Sequence, residues 1–360
     1  MFKDSSLHIA ARDSIVWWKA WLIRLIAVLL SLIVCAIVIF GLTKMNPVEV
    51  YKGIFSGAVG TSRRAWVTIR DTMVLLLIAI GLTPAFKMKF WNIGAEGQIL
   101  VGGAATAALM IYAGDSLPTP VLMILMFVAS MAAGVIWGVI PAIFKAYFNT
   151  NETLFTLMLN YVAMQIVTFC IVYWENPAGS NTVGIINSAT RAGWLPALGG
   201  LTYGWNVLIV LVFTFGMYIY MKYSKQGYEV AVVGESQDTA RYARINVKRT
   251  IIRTMGISGG ICGIAGFLLV SGASHTISTS TAGGRGFTAI IVAWLSKFNA
   301  FVMILVSFFL VFMGKGAIQI ASQFNLNENA SDVITGIILF FILGSEFFIR
   351  YRIAFTKAHK

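Results

Sequence analysis

The chain has 360 residues, 58% of them apolar and only 11% charged, with a mean hydropathy of +0.81. A soluble domain carries about 25% charged residues, so the composition excludes an ordinary soluble enzyme, a disordered chain and a disulfide scaffold. Its few charges are lopsided, 27 Lys and Arg against 14 Asp and Glu, which fits either nucleic-acid binding or membrane topology.

The distribution of charge decides between these two. Stretches 72–86, 116–144, 153–174, 205–221, 254–284, 286–296, 298–314 and 333–345 contain no Asp, Glu, Lys or Arg; 21–42 has Arg24 alone and 90–114 has Glu96 alone. About 20 apolar residues cross a bilayer core, and a central charge costs roughly 2.5–3.5 kcal/mol on insertion. The chain therefore reads as an all-α polytopic membrane protein. Spans are expected near 21–43, 66–86, 92–113, 120–144, 153–174, 205–221, 251–272, 286–296, 298–314 and 332–349. The count is 8–10, because 286–296 is too short to cross alone and 92–113 opens on polar residues and glycine; both read as short or broken helices.

The first run is long for a secretory signal and no A-x-A-type site follows, so it reads as a retained anchor. Trp17, Trp18 and Trp21 sit where an interfacial aromatic belt belongs. If the N-terminus is cytoplasmic and the spans alternate, 19 of the 27 basic residues fall on the cytoplasmic side. That bias places both termini inside. It divides the chain into an N-terminal segment 1–20, a membrane region 21–349 and a basic tail 350–360. The net charge is then a topology signal, and with no nucleic-acid motif present, nucleic acid is not an expected partner; membrane lipid is.

Three segments carry chemistry. The first, 87–103, brings Asn92, Glu96 and Gln98 together with Gly94 and Gly97. A carboxylate there must face protein, water or the interface; the segment is either part of a transport pathway or the cap of a helix start. The outer loop 175–204 follows, with only Glu175 and Arg191 charged; it either meets an external binding protein or forms a lid.

The basic cytoplasmic loop 222–253 comes next. Ser236 caps a short helix, Asp238 falls in its first turn and Arg241 and Arg244 near its last, which suits the helix dipole. Ala240 and Ala243 give it a small face that a partner can approach. It is either a solvated basic loop or a docking helix. Beyond it, Gly256, Gly259, Gly260, Gly263 and Gly266 line one helix face suited to close packing. Residues 274–299 then run polar and rich in Ser, Thr and Gly into a short apolar helix, as in a broken helix lining a cavity.

Cys35, Cys170 and Cys262 have no metal or redox spacing, and His8, His275 and His359 are scattered. Gly314-Lys315-Gly316 lacks the spacing and hydroxyl of a phosphate loop. No enzyme activity, metal or cofactor is expected in this chain; if ATP drives transport, another chain binds it. A carrier driven by an ion gradient is the alternative. It needs acids at membrane depth, and only Glu96 and Asp71 are near.

Four motifs in order carry a resemblance. Phe90 to Gln98 resembles the F-N-I-G-A-E-G-Q signature of permeases in the nucleoside branch of bacterial ABC importers, within the ribose and branched-chain amino acid permease superfamily. Asn151-Glu152-Thr153 with Met158-Leu159-Asn160-Tyr161, Gly234 to Arg249, and Gly284-Arg285-Gly286-Phe287-Thr288 resemble that family's other motifs, over 65–349.

The resemblance implies an importer permease fold and three partners: an ATPase, a second and usually different permease, and an external substrate-binding lipoprotein. Related systems carry purine nucleosides, other nucleosides, ribose or riboflavin-like compounds. It places Asn92, Glu96, Gln98, Asn160 and Phe287 at the translocation pathway. Within 235–246 it assigns the ATPase contact to Glu235, Ser236, Ala240, Arg241, Tyr242, Arg244 and Ile245. Three departures stand out: Trp91 precedes Asn92, Arg244 stands where the family has Gly, and Trp294 ends the last motif.

Overall fold

The structure is a computed structural model describing residues 5–12, 15–43, 47–323 and 328–357. His359 and parts of the two terminal segments lie outside them. The chain divides into two compact units, 1–68 with 309–360, and 69–308.

In the first unit, α1 (Trp17–Thr43) packs against α13 (Glu328–Arg350), and a short helix α2 (Pro47–Val59) follows α1. Arg24 donates from Nε and Nη2 to Glu346 Oε1 at 3.1 and 2.5 Å. That pairing meets the cost of a charge on each of two apolar helices. Strand β1 (Ser5–Ala11) pairs antiparallel with β2 (Tyr351–Lys357). The two strands bring the described parts of the terminal segments together, in register from Ser5 opposite Lys357 to Ala11 opposite Tyr351. This ribbon and α2 were not expected; Glu49 and Lys52 in α2 interrupt what would otherwise be an apolar run.

The other helices are α3 (Ser62–Lys87), α4 (Ala95–Ala113), α5 (Thr119–Phe148), α6 (Glu152–Tyr173), α7 (Gly204–Tyr223), α8 (Lys225–Glu235), α9 (Gln237–Tyr242), α10 (Val247–Leu269), α11 (Arg285–Leu295) and α12 (Ala300–Gln323). Among the described residues, seven helices are long and apolar enough to cross a membrane, including α1, α3, α5, α6, α7, α10 and α12. Every expected span coincides with a helix. The 11 residues of α11 reach only about 16 Å, too short to cross. By contrast α4 is an unbroken helix of 19 residues; the irregular backbone expected there precedes it, at 88–94.

The second unit is organised around α10, which packs on α5, α4 and α8 and is almost wholly buried. Apolar side chains gain nothing by leaving lipid for one another, so association relies on close packing. Here the backbones nearly touch. A Cβ on Gly134 would strike the Gly259 carbonyl, one on Gly263 the Ser130 carbonyl, and one on Gly102 the Gly263 carbonyl. The glycine face read from the sequence is thus the seam of three helices. Past Leu269 the helix widens into a π turn, Val270–Ser274, which His275 ends in the left-handed region.

Candidate functional site

The chain turns sharply after α3. Lys89 takes a positive φ, and 90–94 leads irregularly into α4. A helix start leaves several N–H groups without partners, and Gly94 at the α4 N-cap has no side chain to offer. One near and one distant asparagine supply the caps. Asn160 Oδ1 accepts from Gly97 N at 2.8 Å while its Nδ2 donates to Ile93 O at 2.9 Å. Asn92 Oδ1 accepts from Gly94 N at 3.0 Å. The amides of Asn92 and Gln98 exchange two bonds at 3.3 Å, and Asn92 also donates to Ser258 Oγ on α10 at 3.1 Å. Asn92, Gln98 and Asn160 are buried. They tie α4, α6 and α10 into one bracket.

Glu96 holds a second helix. Its Oε1 accepts from Gly284 N at 2.6 Å and its Oε2 from Gly286 N at 2.8 Å. The carboxylate thereby caps the N-terminus of α11, where both charge-assisted bonding and the helix dipole favour an anion. Gly284 sits at φ 72°, and a Cβ on Gly286 would collide with Glu96. The short helix α11 is thus pinned to the start of α4. Asp71 is also engaged: Arg70 donates to its Oδ1 at 2.8 and 2.9 Å, and the Arg285 guanidinium lies 4.0 Å from its Oδ2.

Phe287 differs from the other four expected pathway residues. It lies in the first turn of α11 and is 44% exposed. Along the same helix Trp294 stacks on Trp91, centroids 5.4 Å apart and planes at 18°, with Phe86 and Phe298 edge-on. Two departures from the sequence pattern, at 91 and 294, are therefore one contact in space. Nothing in the spacing of the two tryptophans announces it.

The basic loop 222–253 folds as α8, α9 and the start of α10. Ser224 caps α8, accepting from Gly227 N at 2.9 Å. Ser236 caps α9, accepting from Thr239 N at 3.2 Å, as expected. Asp238 pairs with Arg241 at 3.1 Å on the exposed side. Glu235, Arg241, Tyr242 and Arg244 are exposed and Ile245 is half-buried. Ala240 corrects the expected small outer face: it is fully buried, in a cluster with Phe90, Val230, Val233 and Met255, and only Ala243 remains outside. Arg244 adopts φ 58°, the left-handed turn that glycine takes without strain. Beside α9 a cavity of about 470 Å³ is lined by Lys145, Gln237, Arg241, Ile245 and Lys248.

The segment 175–204 is fastened to the C-terminal ends of α4 and of the π turn that follows α10. Trp194 stacks flat on His275 at 3.8 Å. Its Nε1 donates to Ile186 O at 2.9 Å, and Ile186 N donates to His275 O at 2.8 Å. Asn187 Nδ2 donates to Met110 O at 2.7 Å. Burial pushes the His275 pKa down and the Arg70 charge adds to this, against a backbone hydrogen bond at Ser271.

Residues 66–343 match the family described as the permease component of the branched-chain amino acid transport system. Three relatives align over nearly the whole chain. The glucose ABC transporter permease protein TsgB13 of Haloferax volcanii is 27% identical over 96% of this chain and 93% of its own. The guanosine ABC transporter permease protein NupP of Bacillus subtilis is 28% identical over 90% and 93%. The nucleoside ABC transporter permease protein NupB of Lactococcus lactis is 26% identical over 94% and 94%. The chain belongs to this permease family and is a multi-pass membrane protein.

Proposed function

From that membership we propose that the chain is the permease subunit of an ATP-driven importer that carries nucleosides across the cell membrane by alternating access. Two of the three relatives named above carry guanosine or nucleoside in their names. The observation that carries the reading is the seat of α9. Its outer side presents Arg241, Tyr242 and Arg244 to solvent, while its inner Ala240 packs with Phe90 of the turn before α4 and Met255 of α10. A force on α9 passes through this apolar contact to the α4 bracket, and through Glu96 to α11. Close packing transmits such a displacement rather than absorbing it.

In this reading 235–246 meets the ATPase, with Glu235, Ser236, Arg241, Tyr242, Arg244 and Ile245 at the contact and Ala240 beneath it. Both termini, 1–20 and 350–360, are cytoplasmic. A related second permease completes the pathway, with Phe287 facing it, and a lipoprotein delivers substrate to 175–204. No cofactor is assigned to this chain, and ATP hydrolysis belongs to the partner. The glucose relative favours a second substrate class, sugars. Gradient-driven transport is disfavoured because Glu96 and Asp71 are both engaged with partners.

The test is uptake of labelled guanosine by proteoliposomes holding this chain with its partners. Uptake is expected to require ATP, to survive collapse of ion gradients and to resist excess glucose. Gradient dependence would overturn the mechanism, and competition by glucose the substrate. Arg241→Glu is expected to lower transport per ATP about tenfold by reversing a rim charge, leaving folding unchanged.

A further inference from the structure

A cavity of about 590 Å³ opens between the C-terminal halves of α3 and α7 and the turn from α11 into α12. Its lining changes character along its length. On α3 the sequence runs Ile80, Thr83, Lys87 down one face; on α7 it runs Met217, Met221, Lys222. Seven residues of helix cover about 10 Å, so the slot passes from apolar to cationic over that depth.

The apolar end is buried: Ile80 is 2% exposed and Met303 fully covered, with Thr83 Oγ1 3.9 Å from its Sδ. At the other end a third lysine, Lys297, is presented by a turn in which both it and Phe298 have positive φ. No carboxylate lines the cavity, and among the described residues none pairs with Lys87, Lys222 or Lys297. Lys222 Nζ instead donates to Tyr218 Oη at 3.0 Å and lies 5.4 Å over the Tyr218 ring.

Three lysines from three elements, brought together without an acid, concentrate positive charge where two spanning helices end. An apolar slot continues from them into the membrane. A soluble anion has no use for that slot, and an apolar ligand none for the lysines. We propose that this cavity binds one anionic phospholipid, its phosphate held by Lys87, Lys222 and Lys297 and its glycerol and upper acyl chain lying against Ile80, Met217 and Met303. Basic pockets between spanning helices on the cytoplasmic side are chemically suited to such headgroups. None of its lining residues is among those proposed above for the ATPase contact or the translocation pathway.

Delipidated full-length chain titrated with phosphatidylglycerol, phosphatidylcholine or inorganic phosphate, and read by native mass spectrometry, tests this. The expected result is a 1:1 phosphatidylglycerol adduct at least tenfold tighter than the phosphatidylcholine adduct. Changing Lys87, Lys222 and Lys297 to Gln should erase the difference, and changing them to Arg should restore it. The exposed single change Lys297→Gln gives an intermediate loss should the triple variant fail to fold. Equal binding of the two lipids, or retention of the preference in the Gln variants, overturns the site. Displacement of phosphatidylglycerol by inorganic phosphate at equal concentration overturns the lipid as ligand and leaves a phosphate site.

Discussion

The α4–α5–α10 seam and the α8–α9 segment lie in one unit and are built on opposite terms. In the seam, glycine backbones meet with no room for a methyl group, and at its edge Asn92 reaches Ser258 and Asn160 reaches Gly97 across long separations in sequence. In α8–α9 the helix starts are capped by near neighbours, such as the Thr239 N–H by Ser236, and most side chains face solvent. The first arrangement resists deformation. The second leaves a polar surface open to solvent, and touches the rigid part through Ala240 and a few apolar neighbours. The ATP-driven mechanism proposed above needs both, joined at a small contact.

Substitutions ranked by expected effect break this contrast at known points. Gly263→Val forces a branched side chain into the Ser130 carbonyl and is expected to cost about 3 kcal/mol, seen as a collapse of thermal stability in detergent. Gly216, with open space around its Cβ position, tolerates Ala as the control. Equal stability of the two variants would dissolve the claim that the seam is rigid.

Glu96→Gln keeps the shape but removes the charge and leaves one N–H of α11 poorly satisfied. A loss of about 2 kcal/mol of local stability is expected, read as faster hydrogen exchange at 284–288 with the rest of the chain unchanged. Transport should fall with it. Unchanged exchange would mean that α11 is held by something other than this carboxylate.

Arg244→Gly relieves a left-handed turn and is expected to stabilise the α9–α10 junction by about 0.5–1 kcal/mol. Measured by unfolding, a loss instead would show that the Arg244 side chain supports the fold.

The segment 175–204 gives the most confined effect. The His275 pKa is lowered in the folded chain, so the unfolded loop binds more protons near the ordinary imidazole value of about 6.5. Docking is complete above that pH and weakens as pH falls through it, levelling off below the folded value. Exchange of the Ile186 amide, which donates to His275 O, reports it. His275→Gln should abolish the pH dependence, and its persistence would place the titration elsewhere.

Much of this was legible in the residues. Helix positions follow from charge-free runs, because a bilayer forbids what a soluble core only discourages. The glycine face of α10 follows from its spacing, and the α9 cap from one serine and the residues after it. What escaped detection depends on partners far away in the chain. Glu96 was visible as a costly charge, yet both its partners lie nearly 190 positions on. Asn160 was known from a motif, and its work at Gly97 was not. Ala240 was assigned to the wrong side because a six-residue helix has too few turns for its pattern to mark a face.

Sequence alone thus determined that the chain lives in a membrane, where its spans fall and which helix packs most closely. These are properties of short segments in a uniform solvent, and composition and period report them directly. Tertiary structure decided which polar groups cap which helix, that the tryptophans at 91 and 294 form one stack, and that three scattered lysines ring one slot. Such pairings depend on how separate helices cross, and the crossing is fixed by glycine contacts and hydrogen bonds between residues that no local pattern relates.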